Sequence, residues 1–464
     1  MDDFKVPADF KTGSLIKAFK EYDVRGSVPD ILNTDNAYRI GRAYANTIRP
    51  KTVCIGHDIR LSGPELLDAF ARGLNDEGVD VVDLGLIGTE MVYFATAFYG
   101  YDGGVMITAS HNPKNDNGFK MVRSESRPIS ADTGLNEIEI RAHEGGFQDA
   151  EIKGNRTKRD VYNDFIQHLL RIVLPTELKP LKVLCDAGNG ASGVALEKLL
   201  PHLPLQVTRR LFEPDGNFPN GVPNPIEEDR RQGTLKALAD DKHDFGVAWD
   251  GDYDRCFFYD EFGNFIEGYY IVGILAQAIL RDKPGEAIVY DPRLIWNTIE
   301  IVEGLGGIPV QCKSGHAFIK EKMRSVNAIY GGEMSAHHYF KQHWYCDSGM
   351  IPFLLIAKLV SQSGKTLGEL VTEMIGRYPC SGEKNTSVAN PDEAKKILAK
   401  VKAHFEALGL VPDLTDGISF DFGDWRFNLR ASNTEGKVRL NVETRGNRML
   451  MEEKRDEILR LILA

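Results

Sequence analysis

A serine beside a histidine, in Thr108-Ala109-Ser110-His111-Asn112-Pro113, follows the apolar run Gly104-Val105-Met106-Ile107. Pro113 has no N–H for a helix or a ladder, and it biases Asn112 toward an extended conformation. Asn115, Asp116, Asn117 and Gly118 are expected to continue the loop, with Lys120 shortly after. A hydroxyl delivered at a strand end, next to an imidazole and near an ammonium, suits a nucleophile or a phosphate carrier. A second constellation, Asp250-Gly251-Asp252-Tyr253-Asp254-Arg255, follows the apolar run 245–249. Three alternating carboxylates at a strand end offer the oxygen ligands that suit Mg²⁺. Two carboxylates about 4 Å apart repel by about 4 kcal/mol at an effective dielectric near 20, so a divalent cation would make the cluster tolerable.

Two further groups suit a phosphorylated sugar. In Gly332-Glu333-Met334-Ser335-Ala336-His337 an extended chain would put Glu333, Ser335 and His337 on one face. A carboxylate there could accept from two vicinal hydroxyls. His316, flanked by Gly315, is a further candidate. Arg430-Ala431-Ser432-Asn433-Thr434 interrupts two alternating runs, and its guanidinium, hydroxyls, amide and backbone N–H groups form a phosphate clamp. Tyr22, Asp23 and Arg25 precede Gly26 and are expected in a loop.

The elements that must carry these loops alternate. Strands are expected at 52–56, 79–83, 181–186, 205–209, 245–249, 287–291, 308–312 and 328–331, with helices between, as at 35–48 and 64–75. This grammar predicts three related α/β domains with mixed, largely parallel sheets. Residues 418–445 alternate strictly and predict antiparallel strands, closed by a helix over 451–463. The expected division is 1–154, 155–260 and 261–367 for the α/β domains, and 368–464 for a smaller α+β domain. Two motifs are expected to be decoys. Gly188-Asn189-Gly190-Ala191-Ser192-Gly193 fits a dinucleotide fingerprint in spacing only and is read as a strand-to-helix turn. Gly364-Lys365-Thr366 lacks the leading glycine of a P-loop, since Leu359 stands there.

The 464 residues are 42% hydrophobic and 27% charged, with a net charge of −11, which argues against a broad face for nucleic acid. Six scattered cysteines, none in Cys-x-x-Cys spacing, favour a reducing, cytoplasmic setting. Residues 1–5 show no export pattern, and no apolar run reaches the ~18 residues of a membrane span. The apolar stretch 351–360 is read as a buried helix.

In order and over nearly the whole chain, residues 22–26, 108–113, 250–255, 332–337 and 430–434 resemble the loops of the α-D-phosphohexomutase family. The 332–340 loop is similar to that of phosphomannomutases and phosphomannomutase/phosphoglucomutases; phosphoglucosamine mutases usually carry Gln in place of Met334. Gly436 departs from a proline common in the family. The resemblance implies four domains around a central cleft, and a phosphorylated Ser110 that donates to a hexose phosphate. A hexose 1,6-bisphosphate, the intermediate and activator, would then turn end for end and return its other phosphoryl group. It implies one Mg²⁺ per chain on Asp250, Asp252, Asp254 and a phosphoserine oxygen of Ser110. Arg255 and Lys120 would neutralise charge, and His111, Lys120 and His316 stand as candidate bases. Tyr22, Arg25, Glu333, Ser335, His337, Arg430, Ser432, Asn433 and Thr434 would bind the sugar phosphate. The activity implied is mannose 6-phosphate to mannose 1-phosphate interconversion, serving nucleotide-mannose synthesis, in a monomer or weak homodimer. The alternatives are a dual-specificity phosphomannomutase/phosphoglucomutase, an aspartyl-phosphate sugar phosphatase acting through Asp250, and a non-catalytic sugar-phosphate binder. Asp254 at a Thr/Val position counts against the phosphatase.

Overall fold

A computed structural model describes residues 5–7, 9–431 and 436–463. The chain forms two compact units, one running to Gly263 and including Phe340–Ser363, the other comprising Asn264–Tyr339 and the chain from Gly364.

The first unit begins with β1 (Val24–Ser27), α1 (Thr34–Ile48), β2 (Thr52–His57), α2 (Gly63–Asp76), β3 (Asp80–Leu86), α3 (Thr89–Phe98), β4 (Gly103–Ile107) and β5 (Asp116–Arg123). Asn33 caps α1 by accepting from the N–H of Asn36, and Pro64 opens α2. Leu66, Leu67, Phe70 and Leu74 project from one face of α2 into the core and are fully or almost fully buried, each stabilising the fold by about 1.5–3 kcal/mol. The sheet is mixed: β2 is parallel to β3 and β4, while β5 lies antiparallel between β1 and β4.

Two expectations are corrected here. Residues 24–27 are strand rather than loop, and so are 116–118, because the two stretches pair with each other, Arg25 opposite Gly118. The pairing satisfies backbone groups that turn-forming side chains made look exposed.

The second sheet of this unit places Phe245–Trp249 parallel to Lys182–Asp186, which is parallel to Gln206–Arg210; Cys256–Tyr259 is antiparallel to Phe245–Trp249. The Met350–Ser363 helix is buried along most of its length. The Trp249 ring meets Phe353 edge-on at 5.6 Å, and its N–H donates to the Gly349 carbonyl at 3.0 Å. The glycine-rich 188–193 stretch is the expected turn, leading from Lys182–Asp186 into Ser192–Leu199.

In the second unit, Ala287–Tyr290 runs parallel to both Ile308–Gln311 and Tyr330–Gly332. The C-terminal sheet is antiparallel, ordered Lys384–Ser387, Lys437–Thr444, Trp425–Ala431, Ile418–Asp421. Phe405 from Pro391–Glu406 and Ile458 from Arg448–Leu463 join Phe427, Leu440 and Val442 in its core. Three α/β layers and one α+β layer are therefore present, as the alternation predicts. Thr366, the end of the rejected P-loop match, instead caps Leu367–Arg377 in a capping box with Glu369.

Candidate active site

Ser110 leaves the end of β4 with a left-handed backbone, φ 52°. That conformation costs a non-glycine residue about 1–2 kcal/mol, so its surroundings must enforce it. The Ser110 N–H donates to Thr108 Oγ1 at 2.8 Å, and Thr108 Oγ1 donates to Asp58 Oδ2 at 2.6 Å. The turn closes with Asn112 N–H on the Ala109 carbonyl and Asp116 N–H on the Pro113 carbonyl, both 2.9 Å. Ser110 is 3% exposed, and its Oγ donates to Asp250 Oδ2 at 2.8 Å with His111 Nδ1 at 3.0 Å.

The acidic loop meets the serine from the neighbouring sheet. Asp250, Asp252 and Asp254 are all buried, and one oxygen from each lies within 4.8 Å of the others. Gly251 permits the approach: a Cβ there would stand 2.6 Å from the Ser110 carbonyl oxygen. The loop is fastened from below by Thr89, whose hydroxyl donates to Asp252 Oδ2 at 2.5 Å. Tyr253 adds to the hold, its hydroxyl accepting the Gly88 N–H at 3.2 Å.

Two cations enter this pocket. Lys120 Nζ lies 2.7 Å from Asp252 Oδ2 and 2.5 Å from Asp254 Oδ2. Arg255 reaches Asp250 Oδ2 through Nε at 3.0 Å and Nη2 at 2.7 Å, and donates to His111 Nδ1 at 2.5 Å. A donor on Nδ1 requires a neutral imidazole with its proton on Nε2. Burial, then Arg255, agrees by holding His111 well below the ordinary histidine value. Burial opposes the charge on Lys120, but Asp252 and Asp254 outweigh it and keep the ammonium protonated. Burial pushes Asp250 up against the pull of Arg255; burial and Asp254 also press on Asp252, yet Lys120 and Thr89 hold it low. Three carboxylates thus face two cations. Asp252 Oδ1 is buried with no hydrogen-bond partner among the described residues. An orphaned anionic oxygen within an all-oxygen set fits a hard divalent cation such as Mg²⁺. Arg25 joins the same unit, paired to Asp23 at 2.7 Å and donating to Asn112 Oδ1 at 3.0 Å, with Tyr22 near its guanidinium.

In the second unit, residues 333–337 do not run extended as expected. They turn, with the Glu333 N–H on the His337 carbonyl at 2.9 Å and Ala336 left-handed at φ 69°. The turn still clusters the expected side chains: His337 Nδ1 is 3.6 Å from Glu333 Oε2. Glu333 accepts from the Tyr339 hydroxyl at 2.5 Å and the Gly315 N–H at 2.9 Å, so His316 opens its helix beside this carboxylate. Burial raises Glu333, with Arg293 opposing. Arg293, unmarked by any motif, joins the parts: two bonds to Asp291 at 2.8 and 2.9 Å, Ser335 Oγ at 3.3 Å, and Glu333 and Glu383 each at 3.5 Å.

Arg430 stands directly opposite Arg439 across the C-terminal hairpin. Arg439 pairs with Glu383 at 2.9 Å, whereas Arg430 is 3.8 Å from Glu383 and 3.9 Å from Asp416. Burial, then Arg293, holds Arg430 below the ordinary arginine value. Ser432, Asn433 and Thr434 lie outside the described residues. Sequence reasoning missed Asp58, Arg60, Thr89, Arg293 and Glu383; a buried arginine or acid far from its partners in sequence leaves no local pattern.

Comparison with known proteins gives four family matches along the chain. Residues 16–149, 160–263 and 267–378 match phosphoglucomutase/phosphomannomutase alpha/beta/alpha domains I, II and III, and residues 383–461 match the C-terminal domain. A protein of Xanthomonas campestris pv. campestris named for phosphohexose mutases is 55% identical over 447 residues, spanning 96% of this chain and 99% of that one. A phosphomannomutase of Escherichia coli K12 is 49% identical over 454 residues, spanning 96% and 99%. A crystal structure of a phosphoglucomutase/phosphomannomutase family protein from Burkholderia thailandensis superposes with a TM-score of 0.85 at 29% identity, covering 96% of both chains.

Proposed function

Because the chain belongs to the phosphoglucomutase/phosphomannomutase family, we propose that it interconverts mannose 6-phosphate and mannose 1-phosphate through phosphorylated Ser110 and a hexose 1,6-bisphosphate. The enzyme is an intramolecular phosphotransferase, as its phosphomannomutase relatives indicate. One observation carries the proposed mechanism: Ser110 Oγ is held in a strained turn, 2.8 Å from Asp250 and 3.0 Å from His111, beside the protonated Lys120 pocket.

Phosphoryl transfer asks chiefly for in-line positioning and charge neutralisation. Lys120, already cationic, and Arg255 face the transferring group and spread its charge. Lys120 is therefore a poor base. When Ser110 takes a phosphoryl group back, Asp250 Oδ2 and His111 Nδ1 lie nearest its proton, and Nδ1 can take it only once Arg255 gives up its bond there. Mg²⁺ held by Asp250, Asp252, Asp254 and a phosphoserine oxygen would supply further neutralisation of the phosphoryl oxygens. Arg25 and Tyr22 serve the sugar phosphate from the serine side. Glu333, Ser335 and His337 take hydroxyls of the sugar in either orientation, with His316 alongside. Arg430, Ser432, Asn433 and Thr434 take the phosphate that is not reacting. The domain limits 1–154, 155–260, 261–367 and 368–464 belong to the same proposal, as do a cytoplasmic setting and a monomer or weak homodimer. Among the described residues no helix is long and apolar enough to cross a membrane.

A second reading is dual specificity for mannose and glucose phosphates. It is favoured by the 55% identical relative, whose name specifies no single hexose. Intact mass of fresh enzyme, with and without glucose 1,6-bisphosphate, tests the mechanism: one phosphate on Ser110 that exchanges into the sugar pool is expected. Enzyme phosphate that never reaches the sugar refutes it. Parallel assays on mannose 1-phosphate and glucose 1-phosphate decide between the two specificities.

A further inference from the structure

Arg60 is the most thoroughly buried cation near the serine loop, its side chain 0% exposed. It touches neither the Ser110 hydroxyl nor any carboxylate of the acidic triad. Its four terminal N–H groups instead go to four backbone carbonyls of one loop. Nη1 donates to Pro113 O and Asp116 O, each at 2.7 Å; Nη2 donates to Ser110 O at 2.9 Å and Asn112 O at 2.7 Å. A planar guanidinium fork is the side chain able to serve four acceptors in one plane; an ammonium has three donors in a tetrahedral array. Asp58 Oδ2, 3.5 Å from Nε, balances the charge, and the same carboxylate holds Thr108 Oγ1, which receives the Ser110 N–H. The peptide units on both sides of Ser110 are therefore fastened through Asp58 and Arg60 of one short segment.

That segment is covered by residues of the second sheet's domain. The ring of Phe218 lies 5.4 Å from the Arg60 guanidinium, and a Cβ on Gly216 would stand 2.2 Å from the Ile59 carbonyl oxygen. The Ser110 carbonyl, bonded to Arg60, is also the atom against which Gly251 of the acidic loop packs.

Resting on the phosphoserine reading above, we propose that Arg60 is a positioning residue for phosphoryl transfer. It clamps the Ser110 loop by four carbonyls, with Phe218 as its backing, so that Oγ is fixed toward Asp250. The clamp acts on the transfer step, because every group it holds lies on the loop that carries the nucleophile.

The test follows phosphorylation of dephosphorylated full-length enzyme by glucose 1,6-bisphosphate, using rapid-quench intact mass, alongside steady-state kinetics. In Arg60→Lys the rate of Ser110 phosphorylation and kcat should both fall by about 100-fold, the scale of a nucleophile misplaced by an ångström. KM for the hexose phosphate should move by less than about threefold. Phe218→Leu, which keeps apolar cover and removes the ring face, should slow phosphorylation by about three- to tenfold. A folded Arg60→Lys enzyme that is phosphorylated at the wild-type rate overturns the proposal. If Arg60→Lys fails to fold, Phe218→Leu decides: a slowed rate supports the clamp and an unchanged rate overturns it. Failure of the underlying mutase reading shows separately, as wild-type enzyme that never takes phosphate on Ser110, and the clamp falls with it.

Discussion

Around Ser110 the cations are tightly engaged: Lys120 is held by two aspartates at 2.7 and 2.5 Å, and Arg255 grips Asp250 through two nitrogens. Around Arg430 the contacts are long, 3.8 and 3.9 Å, and Nε has no hydrogen-bond partner among the described residues. Both guanidinium groups are largely buried, so the difference is not exposure. The first arrangement is organised before substrate arrives, which is what catalysis by fixed charge requires. The second leaves a desolvated cation short of strong partners, which favours capture of an anion. On the function proposed above, the contrast would separate a site for chemistry from a site for holding a phosphate whichever way the sugar lies.

The largest expected effects fall on the first site. Ser110→Ala should lose turnover to background and show no phosphate by intact mass; full turnover in that variant would erase the distinction between the sites. Chelation should abolish activity and added Mg²⁺ restore it, checked by assay against free metal concentration. Lys120→Met should lower kcat by about 10²–10³-fold, the scale of removing a preorganised charge donor, with little change in KM. Steady-state kinetics at saturating Mg²⁺ checks this, and a pure KM effect would move Lys120 to the holding role.

The serine and aspartate loops were legible because each is contiguous and follows an all-apolar strand, so type and context reinforce one another. What was hidden depends on pairing across the fold. Gly118 read as a turn residue, yet its role is close approach: a Cβ there would lie 2.1 Å from the Val24 carbonyl oxygen. Glycine signals both situations, and local sequence does not separate them. Glu333, Ser335 and His337 come together by a turn instead of by strand alternation, so the clustering was legible but its geometry was not. Arg60 and Arg293 lie in unremarkable stretches; apart from their own neighbouring aspartates, the hydrogen-bond partners of Arg60 are 50 to 56 residues away, and those of Arg293 are 40 and 42 residues away with Glu383 farther still.

At the second site the expected effects are smaller and of another kind. A charge-assisted hydrogen bond contributes about 1.5–3 kcal/mol, so Arg430→Met should reduce kcat/KM by about 10- to 100-fold. Most of the loss should appear in KM if, as proposed, the arginine holds phosphate in ground and transition states alike. Full substrate titration of the variant tests the split. A fall in kcat at unchanged KM would break the comparison, because Arg430 would then belong with the chemistry.

The smallest effect on turnover is expected from Glu383→Gln, and it sharpens the contrast most. Burial opposes the charge of Glu383, but Arg439, then Arg293 and Arg430, hold its carboxyl below the ordinary range. A folded value below the unfolded one, about 4.3, means that the ionised group stabilises the fold above that pH. The contribution disappears as pH falls through the folded value. Removing the charge leaves buried arginines less well compensated, so Glu383→Gln should be less stable at pH 7 by about 3 kcal/mol. Its melting temperature should converge on wild type as the pH falls through that lowered folded value. The same arginines, released from their carboxylate, should respond more to an external anion: inorganic phosphate should raise the melting temperature of the variant more than that of wild type. Equal phosphate shifts in the two proteins would mean that Glu383 does not compete for the arginines, and that Arg430 does not take the phosphate.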